Sequence, residues 1–451
     1  MADMSHPNLF GEVEGPAAVA GSDPSDRGVD RPEPRVRRPD RRQMQMRACC
    51  LEELLESDHR ARLVWSVAER LDLSGFYDRI EARGEVAGRA ATDPKLLVGL
   101  WLYASIEGVG SARELARLCE RHDAYRWLCG AVSVNHHSLS DFRVEHEQEL
   151  DELLSQVIAS LVDKGLVKVH RIAQDGMRIR AMAGAASFRK EKRLIKLLEQ
   201  AKEHVAELKK QLEGPAGGGL SARKKAAMAR AARERQQRLE EAMAQLPELK
   251  AKQNNPKNRK ALRDKPVKAS TTDAQARWMR MADGGMRPGY NVQLAMDTES
   301  RAIVGVDVTN VGSDNDQSAP MRQQVQQRSG QKVAEHLTDG NYLDLDQLEQ
   351  AQRESVAMYV PAKQRKDGSD PYTPRPEDTQ AIKAWRERMA SPQGQEIYQL
   401  RSQTIETGNA DLKTHRSLGQ VLVRGMNKVR CVAIWCALAY NLLHFGAALL
   451  S

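Results

Sequence analysis

The stretch from Leu194 to Leu246 limits the fold more than any other part of the chain. Leu194, Leu198, Ala201, Val205, Leu208 and Leu212 follow alternating steps of four and three, which is a heptad seam. Gly214-Pro215-Ala216-Gly217-Gly218-Gly219 breaks it. Met228, Ala232, Leu239, Ala242 and Leu246 then resume the spacing, with Arg235 at one seam position. Two such helices around a Gly-rich turn predict an antiparallel coiled-coil hairpin over roughly residues 188–256. Strand-like runs lie on either side, so the hairpin must leave a sheet and return to it. Residues 187–270 also carry 23 Lys/Arg against 10 Asp/Glu, an excess of +13. The whole chain is only +8, so the remainder is net −5. A basic arm suits a polyanion such as DNA. A rigid spacer or dimer arm with a solvated face fits the same pattern, and both readings stand.

A length of 451 residues suits two or three domains. Aromatic content is 4%, so the core must rest on Leu, Val, Ala and Met. Residues 1–45 are rich in Gly, Pro, Asp and Arg without apolar period, and read as a disordered tail. Residues 46–160 read as an all-α N-terminal domain. Val64, Val67, Ala68 and Leu71 recur at helical spacing. Pro94 can open a helix over residues 95–107 at its first turn, closed by Gly108 and Gly110. Ser111 has Glu114 three residues on, the spacing of a capping box. His136-His137 reads as a solvated turn ahead of another helix. None of the six cysteines forms a CxxC pair, which argues for reduced thiols rather than a zinc ribbon. Cys431 to Leu450 is the most apolar stretch, but it contains Asn441 and His444 and reads as a buried amphipathic helix. No apolar signal-peptide core opens the chain.

Residues 161–451 alternate strand-like and helical patterns, giving a mixed α/β class. Tyr290–Asp297 and Ala302–Thr309 read as a β-hairpin across Thr298-Glu299-Ser300-Arg301. A helix over residues 318–327 precedes a short strand ending at Asp339, and residues 356–360 form another strand. Asp175 closes the run Val167-Lys168-Val169-His170-Arg171-Ile172-Ala173-Gln174, and Glu406 lies on a later helix. Two carboxylates at strand ends and one on a helix can hold a pair of divalent ions, which activate water or a DNA 3′-hydroxyl against a phosphodiester. Oxygen-only ligands suit two Mg²⁺, and Mn²⁺ can substitute. Lys413, seven residues after Glu406, shares its helix face and is a candidate phosphate contact. Tyr398, eight residues before Glu406, is expected to flank it on that face, and Arg401 to sit near it. Competing acids read differently: Asp297 as a turn residue, Asp316 as an N-cap, and Asp314 with Asp316 as an incomplete calcium loop.

Five motifs occur in a fixed order: Gln174-Asp175-Gly176; Gly289-Tyr290-Asn291-Val292-Gln293; Thr338-Asp339-Gly340-Asn341-Tyr342; Tyr398/Arg401/Glu406/Lys413; and Arg424-Gly425-Met426-Asn427-Lys428-Val429 with Ala439-Tyr440-Asn441-Leu442. In this the chain resembles bacterial insertion-sequence transposases of the DDE class, over roughly residues 50–446. The resemblance implies a ribonuclease-H-like core interrupted by the coiled-coil hairpin. It implies Asp175, Asp339 and Glu406 as catalytic and metal-binding triad, with Asp175 bridging both ions, and Tyr398, Arg401 and Lys413 in DNA-binding or supporting roles. It assigns the N-terminal helices to the element's ends. Two positions depart from many relatives: Met177 after the first Asp-Gly, and Thr407-Gly408-Asn409 after Glu406, where Gly408 is expected to loosen its helix.

The function expected from these features is a DNA transposase that binds terminal inverted repeats, cleaves at their ends and joins the freed 3′-hydroxyls to target DNA. Its partners would be double-stranded DNA and further copies of itself, as a homodimer or higher oligomer. No membrane and no nucleotide-binding phosphate loop are implied. The expected location is cytoplasmic, on the nucleoid. Two other readings remain: a metal-dependent DNA nuclease without strand transfer, and a non-catalytic DNA-binding relic.

Overall fold

The computed structural model describes Ala48 and residues 50–84, 90–213, 221–254, 265–365 and 368–451. The expected tail, residues 1–45, and the Gly-rich break, residues 214–219, lie outside these, as do Cys49 and most of the polar linker from residue 257. Cys50–Ser451 packs as one unit.

Among the described residues a 3₁₀ turn (Leu51–Leu54) and seven α-helices come first: α1 (Arg60–Arg70), α2 (Ser74–Asp78), α3 (Pro94–Ile106), α4 (Ala112–Arg121), α5 (Asp123–Cys129), α6 (His136–Glu145) and α7 (Glu147–Asp163). Their caps follow the sequence. The Asp93 carboxylate accepts from Lys95 N at 2.9 Å ahead of Pro94, and the Ser111 hydroxyl accepts from Glu114 N at the start of α4. One expectation fails. His136 and His137 open α6 instead of preceding it, because Asn135 Oδ1 accepts from His137 N and Ser138 N and caps the helix one residue earlier.

The second part begins with β1 (Arg171–Arg180) and β2 (Phe188–Lys190), then α8 (Glu191–Glu213), α9 (Ala222–Ala244) and α10 (Leu246–Gln253). It continues through β3 (Lys268–Ser270), β4 (Arg277–Arg280), β5 (Met286–Asp297), β6 (Ile303–Thr309), α11 (Ser318–Ser329), β7 (Glu335–Leu337), α12 (Leu345–Arg353) and β8 (Ala357–Tyr359). It closes with α13 (Gln380–Ala390), α14 (Pro392–Arg401), a π-helical turn over Ser402–Glu406, α15 (Thr407–Thr414) and α16 (Met426–Leu450). The main sheet runs β6-β5-β1-β7-β8, with β4 on the first half of β5. β1 is antiparallel to β5 and parallel to β7, and β7 is parallel to β8. The sheet is therefore mixed.

Asp175 stands in the middle of β1, not at its end. β1 pairs with β5 from Ile172 to Arg180, but with β7 only from Arg171 to Ala173. Ala173 faces Leu337. Two residues further along each parallel strand come Asp175 and Asp339. The pairing thus brings Asp175 and Asp339, which lies just past the end of β7, toward each other beyond its last pair, and Asp175 feels the Asp339 charge.

Helix α16 joins the helical part to the sheet. It packs against α3, α6 and α7 on one side and β6 on the other. It is the one described helix long and apolar enough to span a membrane, yet 67% of its apolar window is buried inside the protein. From Cys431 to Leu442 it is buried on every side rather than amphipathic, as an all-round apolar helix in a large core should be. Its Asn441 Oδ1 accepts from Ile303 N at 2.9 Å, and its Nδ2 donates to Ile303 O at 2.8 Å. One amide thereby satisfies both main-chain groups of a strand residue inside an apolar core.

Helices α8 and α9 pack on each other, with Leu194, Ala201, Leu239, Ala242 and Leu246 in one apolar cluster. Leu208 and Ala232 are also buried, Leu198, Val205 and Leu212 are half-buried, and Met228 and Arg235 are exposed. The expected second helix is broken at Gln245, where Pro247 opens α10. At the base, β2 pairs with β3, Lys190 opposite Lys268. Replacing residues 191–267 by an Asn-Gly turn should therefore close a β-hairpin and leave the remainder folded. Circular dichroism should show one cooperative melt; loss of that transition would make the two helices part of the core.

Candidate active site

Gly176 follows Asp175, and a Cβ there would sit 2.1 Å from Asp314 Oδ1 and 2.6 Å from Gln293 Nε2. Only glycine leaves room for what lies behind the strand. Asp314 is 1% exposed and accepts from Asn291 Nδ2 (2.7 Å), Gln293 Nε2 (2.9 Å) and Arg178 Nη2 (2.5 Å). Gln174 Nε2 donates to Gln293 Oε1 at 2.8 Å, and the Tyr342 hydroxyl donates to the same oxygen. Four of the ordered motifs' polar residues thus meet in one buried network. Asp314 is not half of a calcium loop. Asp316 is no N-cap either: its φ is +64°, and Gln317 precedes α11 without a side-chain cap. Asp297 accepts from Ser300 in its turn, and Asp344, five residues past Asp339, caps α12.

On the open side of β1, Asp175 Oδ1 lies 3.2 Å from Arg401 Nη2, and Asp175 Oδ2 accepts from Asn409 Nδ2 at 2.9 Å. Arg401 Nη1 lies 3.6 Å from Glu406 Oε1. Five residues separate Arg401 from Glu406. On an α-helix they would point about 140° apart. The π-turn over Ser402–Glu406, with its wider i→i+5 spacing, aligns them instead, and such turns gather at functional sites. Asp339 Oδ1 accepts from Asn341 N and its Oδ2 from Asn341 Nδ2, which fix the carboxylate at the start of a 3₁₀ turn.

Burial pushes the Asp175 carboxyl up to about 6; the Arg401 guanidinium opposes this, and the Asp339 charge adds to it. Burial lowers the Lys413 ammonium and raises the Tyr398 phenol, and both feel the Asp175 charge. Asp175, Arg178, Arg280, Asn409 and Lys413 line a cavity of about 470 Å³. The structure therefore brings Asp175, Asp339, Arg401 and Glu406 into one neighbourhood, with Tyr398 half-buried behind it and Lys413 at its rim. Among the described residues no three His, Cys, Asp or Glu side chains form a ready-made metal cage, because Glu406 is turned toward Arg401.

Sequence reading missed Asn409, Arg178, Arg280 and Asp314. Asn409 belongs to the departure after Glu406, and that departure supplies a donor to Asp175. Gly408, expected to loosen the helix, instead admits β5: a Cβ there would be 2.3 Å from Met296 Sδ.

Two family models match the chain. Transposase domain (DUF772) covers residues 49–145, and Transposase DDE domain covers residues 262–442. No curated protein and no solved structure matches it. The chain is an insertion-sequence transposase of the DDE class. Members of this class act on DNA by phosphodiester cleavage and transposition and use divalent metal. The DDE match holds Asp339, Tyr398, Arg401, Glu406 and Lys413 but begins after β1, so Asp175 lies in neither matched range.

Two outcomes follow. Asp314→Ala leaves Asn291 Nδ2 and Gln293 Nε2 without their buried acceptor and should cost about 1–3 kcal/mol in urea denaturation; a loss below about 0.5 kcal/mol would remove the network's structural role. The raised Asp175 carboxyl makes its ionisation oppose folding: this stability is full below pH 3.8 and lost as pH rises through about 6. In chelator, Asp175→Asn should therefore melt above wild type at pH 7.5, by up to about 3 kcal/mol, with the gap closing by pH 4. A gap that widens toward pH 4 would contradict the burial of this group.

Proposed function

We propose that Asp175, Asp339 and Glu406 are the catalytic carboxylates of a transposase that binds terminal inverted repeats, cleaves at their ends and joins the 3′-hydroxyls to target DNA. The observation that supports this is the parallel pairing of β1 with β7, which ends two residues before Asp175 and Asp339, together with the Asp339 charge felt by Asp175, although Asp175 lies outside both matched ranges. The strand order β6-β5-β1-β7-β8, antiparallel then parallel, supports a ribonuclease-H-like core over residues 161–451. α8 and α9 support a coiled-coil insertion within it, and residues 46–160 would bind the element's ends.

The donor set fits a hard divalent ion: three carboxylates, two of them near enough for one to feel the other's charge. Asp175 and Asp339 would hold Mg²⁺ or Mn²⁺ with Glu406 as the third ligand, for two ions in all. Bound there, the metal neutralises phosphate charge and activates the attacking water or 3′-hydroxyl. The chain's own residues do the rest. Arg401 holds Asp175 and Glu406 in place, and Asn409 fixes the second Asp175 oxygen. Arg178, Arg280 and Lys413 offer three cations to the phosphates beside Asp175. Asp175 must lose its proton to hold a cation, so at limiting Mg²⁺ activity should fall as pH is lowered, and added Mg²⁺ should restore it. Pairing of two ends calls for a dimer or larger assembly.

Asp175→Asn, Asp339→Asn and Glu406→Gln should each abolish Mg²⁺-dependent cleavage of repeat-bearing DNA while keeping repeat binding, by gel shift, within about threefold. Full cleavage by any one of them removes that residue from the set. Calcium, with its longer and more numerous ligand bonds, should support binding without cleavage. Cleavage that persists in excess chelator would overturn the metal mechanism.

A further inference from the structure

Beyond the candidate site, a second cavity of about 490 Å³ opens along the same two strands. Large apolar side chains are seldom exposed together, yet Met182 (38% exposed), Trp278 (41%) and Met286 (55%) all line it. The Phe188 ring lies beside Trp278, with centroids 5.5 Å apart and planes tilted by 54°. The other feature of the cavity is charge. Arg180, Arg287 and Arg424 line it and no Asp or Glu does. Arg287 is paired with Asp283, which also feels the Arg180 charge, whereas Arg180 and Arg424 form no salt bridge among the described residues. A protein partner docking on apolar groups would not need unpaired arginines around them. Aromatic and arginine together are the composition that stacks bases and holds phosphates.

Position ties this cavity to the chemistry. Arg178 and Arg180 stand two residues apart on β1, as do Arg280 and Trp278 on β4. Residues two apart on a strand face the same side. The first of each pair lines the cavity beside Asp175 and the second lines this one. Five residues of β1 separate Asp175 from Arg180, about 17 Å. On the far side a third cavity shares Arg424 and Thr272 and carries Lys428 and, from α9, Arg238. The third cavity, which Glu241 and Asp273 also line, continues the middle one to the base of the inserted helices.

We propose that the middle cavity is a binding subsite for an unpaired DNA nucleotide. Its base stacks on Trp278 between Met182 and Met286, and its flanking phosphates meet Arg180 and Arg424. This rests on the transposase reading for its substrate class, but not on which carboxylates perform the chemistry.

The test uses the full chain, a fluorescein-labelled oligo-dT strand and a blunt duplex of equal length, followed by anisotropy in chelator. Trp278→Ala should weaken oligo-dT binding about tenfold or more, Trp278→Phe should keep most of it, and blunt-duplex binding should change less than threefold. Arg180→Ala and Arg424→Ala, on other elements, should each flatten the log–log salt dependence of oligo-dT binding by about 0.7. The subsite is overturned if wild type does not bind oligo-dT, if Trp278→Ala binds it normally, or if that variant loses duplex and single strand alike. Metal-dependent cleavage by the same preparations separates the two ideas. Wild type that binds oligo-dT through Trp278 but never cuts DNA refutes the catalytic assignment alone. Wild type that cuts while Trp278→Ala binds oligo-dT normally refutes the subsite alone.

Discussion

Asp314, sealed behind β1, accepts hydrogen bonds from two β5 side chains and from Arg178 on β1, and so fixes the two strands against each other where Asp175 must sit. Gly176 is the space this contact requires. A buried carboxylate is tolerable only when its lone pairs are used, and here three donors use them. With β1 locked to β5, the short parallel pairing to β7 directs the residues just past that strand toward Asp175, whose carboxyl feels the Asp339 charge. The third carboxylate depends on a different device. Arg401 reaches Glu406 through a π-turn and Asp175 through space, so a helix defect and one guanidinium relate elements far apart in sequence.

The N-terminal helices are coupled to this arrangement. The Arg416 guanidinium donates to Ile106 O, and the Ser417 hydroxyl donates to Gly108 O. A Cβ at Gly108, where φ is +71°, would lie 2.6 Å from His415 O. The segment directly after α15, which carries Asn409 and Lys413, is thus docked on the loop between α3 and α4. α16 adds a second joint through its burial between α7 and β6. If the helices hold DNA ends, these joints would relate that DNA to the carboxylates.

Much of this was legible in the sequence, for physical reasons that differ by element. The helix start at Pro94 and the cap at Ser111 are local chemistry and were readable. The hairpin of β5 and β6 was readable from its turn. The family resemblance, later matched by two family models, rested on ordered motifs. Gly289, Tyr290, Asn291 and Gln293 form one of them, and the structure shows its chemistry: Tyr290 donates to Asp273, and the two amides hold Asp314. What was not legible depends on distant partners. β4 has no apolar alternation, since β5 decides its pairing. Asp314 and Asp316 look interchangeable in sequence, yet one is buried in a network and the other takes a left-handed turn. Asp175 seemed to end a strand because Gly176 looks like punctuation, but that glycine answers a close approach in mid-strand. The π-turn leaves no mark at all beyond a five-residue spacing.

The central claim is that Asp175, Asp339 and Glu406 share one metal site. Iron(II) can replace Mg²⁺ at hard oxygen sites, and with ascorbate and peroxide it cuts the polypeptide near its ligands. Fragment mapping of the full chain should give breaks close to Asp175, Asp339 and Glu406 together, all suppressed by excess Mg²⁺. Breaks that omit the neighbourhood of Asp175, or that Mg²⁺ does not suppress, would contradict the account.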